Sequence, residues 1–331
     1  MRLAHGGGGR LSRQLIEEVF LPVFGNRYLN ALDDSARLEL SGSKLAFTTD
    51  SFVVDPIFFP GGDIGRLAVC GTVNDLSVVG AKPLYLSIGF IIEEGFSIRQ
   101  LKRINESIKK TADEADVLIV TGDTKVVEHG NADGVFINTS GIGILRDNME
   151  ISGSNGRIGD RIIVNGPLGN HGMAIVTSRQ NLGFKSQIQS DVAPLNHLTE
   201  KMFETTNRIH AMRDATRGGV ATVLNEIAQS SNVGIELDEQ EIPVSEDVQG
   251  ACEILGFDPL YVANEGVLVA FVHSDDAESL VKKMRSTQYG KKSKIIGRVV
   301  EAPRGRVTLR TKIGSHRILD MLSGEQLPRI C

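Results

Sequence analysis

Leu84-Tyr85-Leu86-Ser87-Ile88-Gly89-Phe90-Ile91-Ile92, then Ser97-Ile98-Arg99-Gln100-Leu101, then Val117-Leu118-Ile119-Val120: this part of the chain decides the fold class. The first block is an almost unbroken apolar run of strand length, the pattern of a buried strand. Ser97 stands where a helix N-cap belongs. After it Ile98, Leu101, Ile104, Ile108, Ala112 and Ala115 step by threes and fours, the spacing of one helix face. The third block is again a short strand. Strand, helix and strand in that order make an α/β unit.

The alternation continues outward. Upstream, Leu45-Ala46-Phe47-Thr48-Thr49 reads as a strand running into Asp50. Residues 63–79 read as a helix with Asp63 as N-cap and Ile64, Leu67, Ala68, Leu76 and Val79 near one face. Downstream, Val135, Ile137, Ile142 and Ile144 mark a strand over 134–145. A polar, Gly-rich stretch follows at 147–160. The second half restarts with a strand at 161–164, helices near 195–211 and 219–229, and strands at 266–272, 294–300 and 306–310. No short repeat is visible. The expected organisation is a two-domain α/β and α+β protein. It has a flexible Gly-rich arm at 1–30, one domain over 31–150, a second over 151–320, and a mobile tail at 321–331.

Composition sets bounds on function. A chain of 331 residues with 41% hydrophobic content can bury two sizeable cores. A net charge of −5 argues against nucleic acid as the main partner. No stretch approaches the roughly 20 apolar residues needed to span a bilayer, and the start Met1-Arg2-Leu3-Ala4-His5-Gly6 lacks a secretory apolar core. Three cysteines without zinc-type spacing offer no disulfide framework, so a cytoplasmic protein with reduced thiols is expected. Cys70 and Cys252 read as small core residues. Cys331, the last residue of the sequence, reads either as a frayed end or as a thiol on a mobile arm.

Carboxylates carry the chemical signal. Asp33-Asp34 lie in a loop, Asp50 follows a strand end, and Asp123 follows another in Thr121-Gly122-Asp123-Thr124-Lys125. Each alone is an ordinary turn or Asx residue. Asp75, beside Asn74 in an apolar helix, is costly unless paired or bound to a cation. Several carboxylates at strand ends suit Mg²⁺, which takes oxygen ligands and shares them with phosphates. Gly6-Gly7-Gly8-Gly9 serves either as a linker or as a phosphate wrap. Arg217-Gly218-Gly219 opens a helix, either as a plain capped start or as an anion site with Arg217 adding charge. Neither a Walker motif nor a dinucleotide fingerprint is present. Glu265 before Gly266 reads as a turn residue and Lys125 as a solvated lysine when taken singly. His5 reads as a phosphate contact; His129 and His171 are left without a role.

Taken together, His5-Gly6-Gly7-Gly8-Gly9, Asp33-Asp34-Ser35-Ala36, Thr49-Asp50-Ser51, Gly71-Thr72-Val73-Asn74-Asp75-Leu76, Gly122-Asp123-Thr124-Lys125-Val126-Val127, Asp214-Ala215-Thr216-Arg217-Gly218-Gly219, Ala263-Asn264-Glu265-Gly266 and Pro328-Arg329-Ile330-Cys331 resemble the HypE family of hydrogenase maturation proteins. That family lies in the superfamily of aminoimidazole ribonucleotide synthetase, selenophosphate synthetase and thiamine-monophosphate kinase. The resemblance covers nearly the whole chain. Its Asp-rich loops are common to the superfamily, whereas the Ala-Asn-Glu-Gly and terminal Pro-Arg-Ile-Cys segments are discriminating.

The resemblance implies an aminoimidazole ribonucleotide synthetase type of fold whose N-terminal sheet pairs across a homodimer. It implies ATP-dependent dehydration of an S-carbamoyl group on Cys331 to a thiocyanate, supplying cyanide ligands for the [NiFe]-hydrogenase iron. The implied partners are the carbamoyltransferase HypF and a HypC–HypD scaffold, and the implied cofactors are ATP and Mg²⁺. By the same resemblance Cys331 carries the substrate group, Glu265 is the base and Lys125 its neighbour. Asp33, Asp50, Asp75 and Asp123 hold metal. Gly7, Gly8, Gly9, Asp34, Asn74, Arg217, Gly218 and Gly219 hold nucleotide. Two other readings stay open: another superfamily kinase or synthetase in which Cys331 is irrelevant, and a non-catalytic nucleotide-binding scaffold for maturation partners.

Overall fold

The computed structural model describes residues 9–331 apart from 25, 27, 41, 148, 180–186, 323, 325, 326 and 328. Gly7 and Gly8 lie outside the described residues. Within the expected arm, Arg10–Leu15, Ile16–Phe20 and Leu21–Phe24 are successive helical pieces. The first half then forms β1 (Ala36–Leu40), β2 (Ser43–Phe52), α1 (Ile64–Val78), β3 (Ala81–Glu93), α2 (Ile98–Glu114), β4 (Leu118–Val127) and β5 (Val135–Leu145). Its sheet has the order β1-β2-β5-β3-β4. Only β3 and β4, joined through α2, are parallel, as expected for strands linked by a crossover helix.

α1 is buried almost all round, because it lies between the sheet and the second domain. Asp63 caps it by accepting hydrogen bonds from the Gly65 and Arg66 amides. α2 is amphipathic and buries Ile104, Ile108 and Ala112. The expected cap from Ser97 is absent: Ser97 occupies the N-cap position but its side chain makes no capping bond.

Two strands are longer than their sequences suggested, which moves two aspartates. β2 continues through Asp50 to Phe52, so Asp50 is mid-strand. It shares a face with Ala46, Thr48 and Phe52, all buried, because strand side chains alternate with period two. β4 continues through Asp123 to Val127. Gly122 permits this: a Cβ there would stand 2.5 Å from the Ile88 carbonyl oxygen of β3.

The far face of this sheet is apolar and uncovered in the single chain. Phe47 pairs with Ile142, Ile142 with Tyr85, and Tyr85 with Leu118, forming one row across four strands. All four side chains are exposed, Leu118 at 64%.

The second half contains β6 (Arg161–Val164), α3 (Asn170–Arg179), α4 (Asn196–Thr205), β7 (Ile209–Asp214), α5 (Gly219–Ser230), β8 (Gly234–Asp238), α6 (Glu246–Leu255), β9 (Leu268–Val272), α7 (Ser274–Met284), β10 (Lys294–Val300), β11 (Arg306–Arg310) and β12 (His316–Leu319). Its sheet runs β12-β11-β8-β10-β6-β9-β7. The helix expected over 195–211 stops at Thr205. Thr206 is extended, and Ile209–Asp214 is a strand packed on both faces. Such a strand reads as a continuous apolar run, which periodicity cannot separate from a buried helix. Among the described residues no helix is long and apolar enough to cross a membrane.

Candidate active site

The first element of the site is a cavity of about 610 Å³ between the domains. It is lined by Asp33, Asp34, Thr48, Asp50, Asp75 and Arg213, with Gly9 and Arg13 of the N-terminal segment at its rim. One carboxylate oxygen from each of Asp34, Asp75 and Asp214 lies within 4.8 Å of the others. The fold brings them from a loop, a buried helix and a strand end.

Their charges are only partly answered. Asp34 accepts from Arg213 Nε at 2.9 Å, and Arg213 Nη1 also pairs with Glu226 at 2.8 Å. Asp75 accepts from the Thr48 hydroxyl at 2.9 Å. Burial, then the charges of Asp214, Asp34 and Asp50, push the Asp75 carboxyl well above the usual carboxylate range. Burial and the neighbouring Asp34 push Asp214 up to about 8. A cluster of hard oxygen donors that repel one another is what a divalent cation relieves, and the residues fit Mg²⁺ in this respect.

The second element is Glu265. Its backbone is clasped from several sides. The Asp191 carboxylate accepts from the Glu265 amide at 2.6 Å and the Gly266 amide at 2.9 Å. Asn264 accepts from the Gly169 amide at 2.7 Å and donates to the Ala215 and Val262 carbonyls. Asn165 donates to the Gly266 carbonyl at 3.0 Å. Asn74 donates to the Ala193 and Glu265 carbonyls and accepts from the Leu195 amide.

The clasp holds the backbone, while the carboxylate itself is answered only in part, by the charge of Arg217. Glu265 is 3% exposed, and its Oε1 has no hydrogen-bond partner among the described residues. Burial, with Asp214 and Asp50 nearby, raises its pKa well above the ordinary value. An orphaned buried carboxylate costs free energy, on the order of 1–3 kcal/mol or more. Such a cost is more often found at a functional site than in a scaffold.

The third element is the tail. It is docked: the Arg329 and Cys331 carbonyls accept from the Asp55 and Val53 amides, each at 3.1 Å. Arg329 pairs with Asp133, and Arg179 donates to the Arg329 carbonyl. Ile330 and Cys331 join the hydrophobic core of the first domain. Arg217 Nε donates to the Cys331 sulfur at 2.7 Å. Burial pushes the Cys331 thiol up to about 12. Glu265 and Asp50 both act on this thiol electrostatically, and Asp50 also lines the aspartate cavity. Asp50 therefore links the thiol and the cavity.

Several residues take places the sequence did not indicate. Asn74 spends both amide hydrogens on backbone of the second domain and accepts from the Leu195 amide, so it helps hold the segment that carries Glu265. Asp33 accepts from Ser152 Oγ at 3.0 Å and the Gly153 amide at 2.9 Å, tying its loop to the inter-domain segment. Asp123 and Lys125 pair with each other at 2.8 Å, both about 70% exposed, on edge strand β4. They do not join the cavity in the single chain, because β4 lies at the far edge of the sheet from β2, the strand that carries Asp50. Gly218 and Gly219 shape the chain: Gly219 has φ +61, and a Cβ there would stand 2.5 Å from the Leu260 carbonyl oxygen. Gly9 packs against Leu322 at the cavity rim.

Asp214 and Asp191 were missed as site residues. The sequence shows Asp214 only as part of a motif at a helix start, whereas in the fold it ends β7 facing Asp34 and Asp75. Nothing local marks Asp191.

Two domain families match this chain: the AIR synthase related protein N-terminal domain over residues 32–145 and the AIR synthase related protein C-terminal domain over 157–310. The class of protein is therefore an AIR synthase related two-domain protein. A carbamoyl dehydratase HypE from Bradyrhizobium diazoefficiens is 51% identical over 330 residues, covering 99% of this chain and 95% of that protein. A chain in the crystal structure of a HypE–HypF complex is 51% identical, covers 93% of this chain and 99% of its own, and superposes with a TM-score of 0.89. The crystal structure of the hydrogenase maturation protein HypE in complex with ATP is 49% identical, covers 99% of both chains and gives 0.84. The chain belongs to the HypE family of carbamoyl dehydratases.

Proposed function

We propose that this chain dehydrates an S-carbamoyl group carried on Cys331 to an S-thiocyanate, using ATP, in hydrogenase maturation. One observation carries this reading: the Cys331 sulfur accepts a hydrogen bond from Arg217 and stands in the field of Glu265, a buried carboxylate whose Oε1 has no hydrogen-bond partner among the described residues. A kinase acting on a diffusing substrate has no use for a thiol in that position.

The chemistry balances as follows. The carboxamide oxygen attacks the γ-phosphorus of ATP and ADP leaves. The N–H hydrogens depart as protons, Glu265 accepting at the nitrogen. The C–O bond breaks, phosphate leaves and the C≡N bond forms. Arg217 neutralises charge developing on the carboxamide oxygen and phosphate. Asp34, Asp75 and Asp214, with Asp50 beside them, would hold Mg²⁺, which supplies charge neutralisation of the phosphates when bound.

The partners follow from the same reading. HypF loads the carbamoyl group, and a HypC–HypD scaffold receives the cyano group for the [NiFe] iron. A second copy of the chain covers the exposed row of Phe47, Ile142, Tyr85 and Leu118; exposed apolar patches of this kind mark interfaces. That pairing gives Asp123 and Lys125 a place at a neighbour's site. Three free cysteines fit a reducing cytoplasm. Mass spectrometry of the tail peptide tests the reaction. With HypF, carbamoyl phosphate and ATP, Cys331 gains a carbamoyl group that then loses water. A carbamoyl group that persists with ATP present rejects the reading.

A further inference from the structure

We propose that His171 is a positioning residue for the tail. It donates to the Ile330 carbonyl and, through Asp191, ties the aim of the Cys331 thiol to the backbone that carries Glu265. This rests on the reading of Cys331 as the carrier.

Arg329 turns the chain with a left-handed φ of +53, and beyond that turn the last three carbonyls divide between two receptors. Those of Arg329 and Cys331 face the Asp55 and Val53 amides. The Ile330 carbonyl, in the peptide that leads directly into Cys331, faces the other way and meets His171 Nε2 at 2.8 Å.

A carbonyl oxygen only accepts, so Nε2 carries the proton. Nδ1 is then an acceptor, and the Ser190 hydroxyl at 2.7 Å donates to it. Ser190 in turn accepts from the Val192 amide at 3.1 Å, so every group in the chain has a consistent role. His171 is fully buried, and the Phe59 ring packs edge-on at 5.4 Å, which hinders rotation of the imidazole. Burial pushes its pKa down to about 4, keeping it a neutral donor in ordinary conditions.

The link to Glu265 is one carboxylate. Asp191 Oδ2 accepts from the His171 amide at 3.2 Å, while Oδ1 accepts from the amides of Glu265 and Gly266. Proton acceptor and tail receptor thus share an anchor.

Two variants of the full chain test this. His171→Asn keeps an acceptor near the Nδ1 position for Ser190 but cannot reach Ile330. His171→Gln extends a donor to about the Nε2 position. Iodoacetamide labelling, resolved by mass spectrometry, uses buried Cys70 and Cys252 as internal controls. The expected result is about tenfold faster labelling of Cys331 in His171→Asn, the equivalent of one lost buried hydrogen bond. Cys70 and Cys252 stay protected, and His171→Gln returns Cys331 toward the wild-type rate. In turnover, His171→Asn slows water loss from the carbamoylated tail and leaves KM for ATP unchanged. Wild-type labelling in His171→Asn overturns the proposal, as does faster labelling of all three cysteines together, which assigns His171 a merely structural role. If the wild-type protein never loses water from its tail, the dehydratase reading fails, while the labelling result still decides the receptor.

Discussion

Glu265 and Lys125 look alike in the sequence, each a charged residue in a short polar motif, yet the fold treats them oppositely. Glu265 is buried at 3% exposure with an oxygen that has no partner among the described residues. Lys125 is about 70% exposed, and Asp123 beside it answers its charge. The first has been taken out of water by a backbone held from several sides, and the charge of Arg217 only partly offsets that burial. The second has both water and a counter-charge. A surface pair of this kind contributes little on its own, about 0–1 kcal/mol. The difference supports the proposed role of Glu265 as the base and leaves Lys125 outside the aspartate cavity of the single chain.

The sharpest way to break that contrast is Glu265→Gln. It keeps the shape and removes the base. Water loss from the carbamoylated tail should fall by about 10²–10⁴-fold while carbamoylation continues. A fall below tenfold removes Glu265 as the base.

Lys125 is tested by mixing. Lys125→Ala and Glu265→Gln proteins, each expected to be inactive alone, are dissociated and recombined in equal amounts. If Lys125 serves a neighbour's site, mixed dimers contain one intact site, and roughly a quarter of wild-type activity returns. No recovery means that Lys125 acts within its own chain, and full activity of Lys125→Ala alone means that it has no role.

The pH profile separates the two residues further. The raised Glu265 carboxyl is protonated where an ordinary carboxylate would be ionised. The single-turnover rate should therefore still be climbing with pH above the ordinary carboxylate range, by up to about tenfold per unit. A rate that is flat above pH 5 contradicts a raised base.

The smallest effect concerns the carboxylate cluster. Asp214 has a folded-state pKa of about 8, above its unfolded value. Its contribution to stability is therefore full below the unfolded carboxylate pKa and is lost as pH rises through about 8. Asp214→Asn in the metal-free protein should be the more stable form by ~2 kcal/mol at pH 9, with a smaller gap at pH 6. Urea unfolding at the two pH values measures it.

The sequence made the α/β unit around α2 legible, because its helix repeats an apolar step and its flanking strand 84–92 is nearly all apolar. It also made Asp50, Asp75 and Glu265 visible through motifs. It could not show that Asn74 holds backbone 119 and 191 residues away. Nor could it show that Asp214 faces Asp34 and Asp75. Such contacts depend on how two domains meet, and no local spacing encodes that. The docking of Cys331 was hidden for the same reason: a short polar-to-apolar tail reads as a frayed end until a groove is found for Ile330.

The tail's seat in the first domain has a consequence for measurement. The Val53 and Asp55 amides are bonded to the tail and to no other carbonyl among the described backbone pairs. Whenever residues 329–331 leave, these two hydrogens lose their acceptors together. Their deuterium uptake then counts departures, a clock for the carrier's traffic that needs neither partner protein nor nucleotide.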